Sequence, residues 1–174
     1  MKKSLKIIFT SLFIGIFLFL SNKIIYKINY KKQIEQNTKS IPKLSYLNIN
    51  GENFTNENLK KVTPVIFIYF STDCNYCNEE AQIINKNIKI LKDIQIIFVS
   101  CENINLIKKF AQYNHLNNYD NIHFLYDGKA SFAPTFDVNS IPCIVLYDKN
   151  HNLIEKINGQ TKPEILIKKL NSQQ

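Results

Sequence analysis

Two cysteines three positions apart, in Cys74-Asn75-Tyr76-Cys77, stand just after the apolar run Val65-Ile66-Phe67-Ile68-Tyr69-Phe70. That run reads as a buried strand, and Ala81, Ile83, Ile84, Ile88 and Leu91 beyond it carry a helical period. A sulfur at a helix start meets unpaired backbone N–H groups and the positive end of the helix dipole, both of which favour a thiolate. Thiol-disulfide exchange needs one accessible thiolate to attack and a second thiol to resolve the mixed disulfide. Cys74 suits the first role and Cys77 the second. The same pair could instead be a static disulfide or half of a zinc site, although a bridge closing so short a loop stabilises little.

The chain has two more thiols. Cys101 follows the apolar segment 94–100, and Cys143 opens the run Cys143-Ile144-Val145-Leu146-Tyr147. If segments 65–70 and 94–100 are parallel strands and 143–147 runs the opposite way, all four sulfurs come to one edge of a sheet, where open α/β sheets place their sites. The default for Cys101 and Cys143 is a small buried core residue. The sharper options are a second dithiol feeding the first, or a soft-metal site assembled with Cys74 or Cys77, which would make the chain a copper or zinc carrier using Cys74, Cys77 and Cys143. His115, His123 and His151 show no ligand spacing.

Positioning these residues falls to an alternation of elements. Asn50-Gly51 marks a hairpin turn between Leu44–Leu47 and Phe54-Thr55, and a short helix over 56–61 follows. Then come strand 65–70, helix 76–91, strand 94–100, helix 103–115, strand 122–126 and a brief helix over 130–136. The tail predicts an antiparallel hairpin, 143–147 with 153–157, and a last helix over 163–170 that has Pro163 at an early position.

In this order, residues 42–171 resemble a thioredoxin-like domain, and among its branches the TlpA-like membrane-tethered thiol-disulfide oxidoreductases. The resemblance is carried by the hairpin lead-in, the strand ending in Phe70-Ser71-Thr72-Asp73-Cys74-Asn75-Tyr76-Cys77, the downstream Glu80, and Ser140-Ile141-Pro142 before a strand. It implies an α/β fold with a mixed central sheet flanked by helices. It further implies that Cys74 and Cys77 are the redox centre with no organic cofactor, and that protein disulfides or dithiols are the substrates. Pro142 would be the cis-proline that faces the dithiol and frees the neighbouring backbone to pair with a substrate strand. Glu80 would exchange protons with the inner thiol, although an acid in the first turns of a helix also favours the dipole.

Two features depart from the family. Asp73 stands where thioredoxins often carry Trp, and Asn75 and Tyr76 include no proline. Asp73 could cap the helix. A carboxylate beside Cys74 stabilises its thiolate less than the surroundings of strongly oxidising relatives do, which predicts a protein that donates electrons. A peroxiredoxin reading is weak, because Phe67 and Ser71 stand where that family uses Pro and Thr.

Before the domain, Lys2, Lys3 and Lys6 precede an apolar stretch, Ile7 to Leu20, that reaches about 20 residues when carried on to Tyr26. The first alanine is Ala81, so the small residues of a cleavage site are missing, and no cysteine lies near for a lipid anchor. The expectation is a single uncleaved signal anchor over 1–26, a polar linker over 27–41 and a thioredoxin-like domain over 42–174. The domain would then be extracytoplasmic (periplasmic) on a bacterial membrane, fed by an upstream membrane electron donor. Lysines flank the span on both sides, but long downstream domains translocate largely regardless of charge.

The net charge of +8 does not indicate nucleic acid. Residues 1–39 carry +7 of it and residues 40–174 only +1, so no basic stripe lies on the domain. The tether's lysines suit anionic headgroups instead.

Overall fold

The computed structural model describes residues 2–172 and divides into two compact units, 1–37 and 38–174. In the first, helix α1 runs Lys2–Thr38 without interruption. At 1.5 Å rise per residue it is about 55 Å long. Its segment Leu12–Thr38 is long and apolar enough to cross a bilayer, a test that a signal sequence also passes. From Leu12 to Tyr30 the large apolar side chains are exposed, Phe13 by 72%. The polar stretch expected as a linker is helical as far as Thr38. Lys, Gln and Ile are tolerable helix residues, and no Gly or Pro interrupts them before Pro42.

The second unit is built on a mixed sheet. Among the described residues its strands are β1 (Tyr46–Asn48), β2 (Asn53–Phe54), β3 (Val65–Tyr69), β4 (Gln95–Ser100), β5 (Ile122–Tyr126), β6 (Cys143–Tyr147) and β7 (Leu153–Asn158). They lie in the order β2-β1-β5-β4-β3-β6-β7. The central β3, β4 and β5 are parallel, β6 runs antiparallel beside β3, and β7 runs antiparallel to β6. Every residue of β3, β4 and β6 is buried, as in strands covered on both faces, the polar ends Gln95 and Ser100 of β4 included. The leading hairpin turns at Asn48, whose Oδ1 accepts the N–H groups of Asn50 and Glu52 at 2.9 Å each. Gly51 there has φ +84°, a conformation side chains rarely adopt.

Helices α2 (Asn75–Lys86), α3 (Ile104–Tyr113) and α5 (Pro163–Asn171) cover one face of the sheet. They pack Ala81, Ile84, Ile107, Phe110, Leu166 and Leu170 against Ile66, Ile68, Phe98 and Ile144. The rings of Phe70, Phe98, Phe110 and Phe124 meet at the centre of this layer. The other face carries α4 (Phe132–Phe136) with Leu44 and Leu59, the latter just past the 3-10 turn Asn56–Asn58, closing over Phe67, Val99, Cys143 and Tyr147. Helix α2 stops sooner than its apolar period suggests. Asn87 ends it by donating its side-chain amide to Ile83 O at 2.9 Å, and a 3-10 turn over Ile88–Leu91 carries the remaining apolar positions.

Candidate active site

Strand β3 delivers the chain to the sheet edge, and Ser71-Thr72-Asp73 turns it into α2. That turn is held from a distance. Glu102, just past β4, accepts the Ser71 hydroxyl and the Thr72 N–H, each at 2.7 Å. Ser71 Oγ also contacts the Asp73 carboxylate. Glu102 has no motif of its own to mark it, yet the parallel pairing that brings Cys101 to this edge brings its neighbour too.

Cys74 itself is the N-cap of α2, in extended conformation at φ −81° and ψ 115°. Its sulfur accepts the Cys77 N–H at 3.3 Å. The cap role offered to Asp73 from sequence therefore falls to the cysteine, because Asp73 is engaged with Ser71. The Cys77 N–H is thus shared between the Cys74 sulfur and the Cys74 carbonyl, the latter at 3.1 Å, in the first turn of the helix. Asn78 braces the same turn from within α2, donating to Cys74 O at 3.3 Å and accepting from Asn114 Nδ2 at 3.1 Å.

The two thiols differ in setting. Cys74 is half-buried, Cys77 is 1% exposed, and all four cysteines are free thiols. Burial first, and then the adjacent Cys74 thiol, push the Cys77 thiol far above the ordinary range, with Glu102 adding to the effect. An inner thiol of that kind needs a base to give its proton to.

Glu80, one turn beyond Cys77 on the inward face of α2, is completely buried. Its Oε2 accepts the Thr161 N–H at 3.0 Å, while Oε1 has no partner. Burial raises its pKa from 4.5 to about 7, against a smaller opposing pull from the Thr161 N–H. Residues three apart on a helix have Cβ atoms about 5–6 Å apart, within reach of proton exchange directly or through one water. The neighbouring Glu79 accepts Gln160 Nε2 at 2.9 Å rather than facing solvent alone.

Pro142 follows a cis peptide bond from Ile141 and leads into β6. Ile141 packs against both core layers, and Pro142 O accepts the Gly159 N–H at 2.8 Å.

The remaining thiols reach the expected edge but not the expected company. Cys143 pairs with Tyr69 across β6 and β3 and is fully buried, and burial raises its pKa to about 11. It belongs to the core layer of α4, whereas Cys74 and Cys77 belong to that of α2. Cys101 is exposed, not a core residue, and accepts the Tyr69 hydroxyl at 3.4 Å. Among the described residues, no three His, Cys, Asp or Glu side chains stand together to hold a metal. A soft-metal site from Cys74, Cys77 and Cys143 is therefore not assembled, because the sheet lies between the pair and the third sulfur.

The histidines are apart from this edge. His123 on β5 meets Gln95 Nε2 at 3.0 Å, and Gln95 also bonds Asn58 O and the Lys60 N–H.

The same fold recurs in known proteins. The model of the redoxin family matches residues 36–173. A thioredoxin-like protein of Haemophilus influenzae is 27% identical over 113 residues, a match covering 64% of this chain and 64% of that protein. The solution structure of a thioredoxin-like protein from Porphyromonas gingivalis is 26% identical, covers 75% of this chain and 89% of its own, and superposes with a TM-score of 0.62. A secreted Mycobacterium tuberculosis disulfide oxidoreductase shares the fold at 15% identity, with 74% and 95% coverage and a TM-score of 0.62.

Proposed function

On the premise that this chain belongs to the redoxin family and is a thioredoxin-like thiol-disulfide oxidoreductase, we propose that it reduces disulfides of extracytoplasmic proteins while anchored in a membrane by α1. The observation that carries this reading is the pairing of a helix-capping Cys74 with a buried Cys77 whose neighbour one turn on, Glu80, is a carboxyl poised near neutrality.

The Cys74 thiolate attacks one sulfur of a partner disulfide. The partner's S–S bond breaks, its other sulfur leaves with the electron pair and takes a proton from water, and Cys74 is joined to the partner. Cys77 then gives its proton to the Glu80 carboxylate and attacks Cys74. The Cys74–Cys77 bond forms, the Cys74–partner bond breaks, and the second partner sulfur departs as a thiolate and is protonated. Two electrons have passed to the partner. A membrane dithiol donor would return the pair to its reduced state. Pro142, before β6, would offer the edge on which the partner's strand docks.

The reducing direction is supported by Asp73 and Glu102, two carboxylates around the turn that presents Cys74. Anchoring is supported by a helix apolar enough to span a bilayer, and the extracytoplasmic setting by the basic-then-apolar order of its start and by likeness to a secreted oxidoreductase. Under this reading residues 1–26 are the anchor, 27–41 a largely helical stalk, and the redox domain begins at 42.

A Cys77→Ser chain expressed in its native membrane should accumulate mixed disulfides through Cys74, released by reductant and absent from Cys74→Ser. Absence of such adducts refutes the exchange role. A reduction potential close to the roughly −120 mV of strong periplasmic oxidants, measured against glutathione, refutes the direction.

A further inference from the structure

The loop between β7 and α5 is bonded in two directions. Toward α2, the Thr161 N–H goes to Glu80 Oε2 at 3.0 Å and Gln160 Nε2 to Glu79 Oε2 at 2.9 Å. Toward β6, the Gly159 N–H goes to Pro142 O at 2.8 Å. Asn158, at the end of β7, pairs with Cys143. Gly159 holds φ +91° with open space where a Cβ would stand, so its glycine serves the backbone path and not a close contact. Three consecutive residues therefore run from a buried carboxyl to the carbonyl of the candidate docking proline.

The far end of this path is sensitive to charge. Glu80 is wholly buried, Oε1 has no partner, and Thr161 supplies the protein N–H that its Oε2 accepts. Burial and the Thr161 N–H are the influences on its proton affinity; the other titratable side chains on the adjoining segments are Tyr76, Cys77, Glu79 and Lys86 on α2, Lys162 in the loop, and Glu164, Lys168 and Lys169 on α5. β3 and β6 bring Ile66, Ile68, Ile144 and Leu146 to this face, and α5 turns Pro163, Leu166 and Leu170 inward. An N–H bonded to a carboxylate is roughly twice as strong as one bonded to a neutral acid. Changing the charge on Glu80 thus changes the hold on Thr161 more than on any other named backbone group.

We propose that Gly159-Gln160-Thr161 is a positioning element that transmits the protonation state of Glu80 to the Pro142 carbonyl, holding the docking edge while Glu80 is ionised and loosening it when Glu80 takes a proton. The inference rests on the roles given above to Glu80 and Pro142. The proton involved is the one Cys77 releases as it closes the disulfide with Cys74, so no further reactant is needed. Closing the disulfide would then relax the edge that had received the partner, at the moment when the reduced partner must leave.

The test is an amide NMR titration of the full reduced chain in detergent micelles from pH 5 to 9. The Thr161, Gly159 and Cys143 amides should shift together with one midpoint near 7, and Glu80→Gln should abolish that shared titration. In Gly159→Ala, whose backbone must leave φ +91°, Thr161 should still titrate while Cys143 no longer follows. If Thr161 titrates in the natural chain and Gly159 and Cys143 stay fixed, the relay is wrong and the reading of Glu80 stands. If no amide titrates in this range, both fall.

Discussion

Replacing Glu80 with glutamine should remove a loss of stability that the natural chain suffers as the solution turns alkaline, and the size of the effect follows from burial. The pKa of the carboxyl rises from 4.5 to about 7 on folding, and each tenfold gain in proton affinity is worth about 1.36 kcal/mol. The folded-state value lies above the unfolded one, so the folded chain binds the proton more tightly. The associated stability is fully present below pH 4.5 and is lost as the pH climbs through 7. Glutamine keeps an acceptor for Thr161 N–H and cannot titrate. Between pH 4.5 and 8.5 the natural chain should therefore lose about 3 kcal/mol relative to Glu80→Gln. Chemical denaturation of both full chains in the same detergent, at several pH values, reads the difference directly. A constant offset of any size reflects the cost of burying an amide and leaves the reasoning intact. Stability curves that run parallel over this range would refute it.

Three other outcomes are expected. In the native reduced protein iodoacetamide should modify exposed Cys101 and half-buried Cys74, whereas Cys77 and Cys143 react only after denaturation; peptide mass spectrometry would detect an early Cys143 adduct, which contradicts its burial. His123 is held below its ordinary 6.5 by burial and then by the charge of Lys60, with Asp120 opposing. It binds a proton less tightly when folded, so stability should fall as the pH drops below 6.5, and thermal melts of His123→Gln should show a weaker fall. Phe98, 0% exposed among Phe70, Phe110 and Phe124, should cost about 3–5 kcal/mol when replaced by alanine, measured by urea unfolding.

The strands that carry the site were legible because their burial is written locally: β3 and β6 are continuous apolar runs, β4 holds Ile96-Ile97-Phe98-Val99, and β5 matches its expected span, 122–126. Topology followed from the order of elements, and with it the common edge of the four thiols. Which face each thiol takes needed the pairing register. Tyr69 opposite Cys143 places that sulfur with Phe67 and Val99, away from Cys77. Contacts made across long stretches of chain were not legible at all. Glu102 reaches back 30 residues to Thr72, and Thr161 reaches back 81 to Glu80. Neither has a local pattern, because a single carboxylate or backbone N–H acquires its partner only when the sheet is assembled. The polar continuation of α1 misled in the opposite sense, since hydrophilic composition does not by itself oppose a helix.

The sheet that separates Cys77 from Cys143 has a consequence for fidelity. A protein that cycles between dithiol and disulfide while holding four thiols risks isomerising its own bridge into a dead-end pairing. Here the second buried sulfur sits behind a layer of hydrogen-bonded backbone and is capped by the Tyr69–Phe132 stack, whose centroids are 5.2 Å apart. A Cys77–Cys143 bond would require the sheet to open, a barrier on the scale of unfolding and not of exchange. Under the proposed exchange role, the strands that present Cys74 and Cys77 thereby also act as insulation between that pair and the buried sulfur of Cys143.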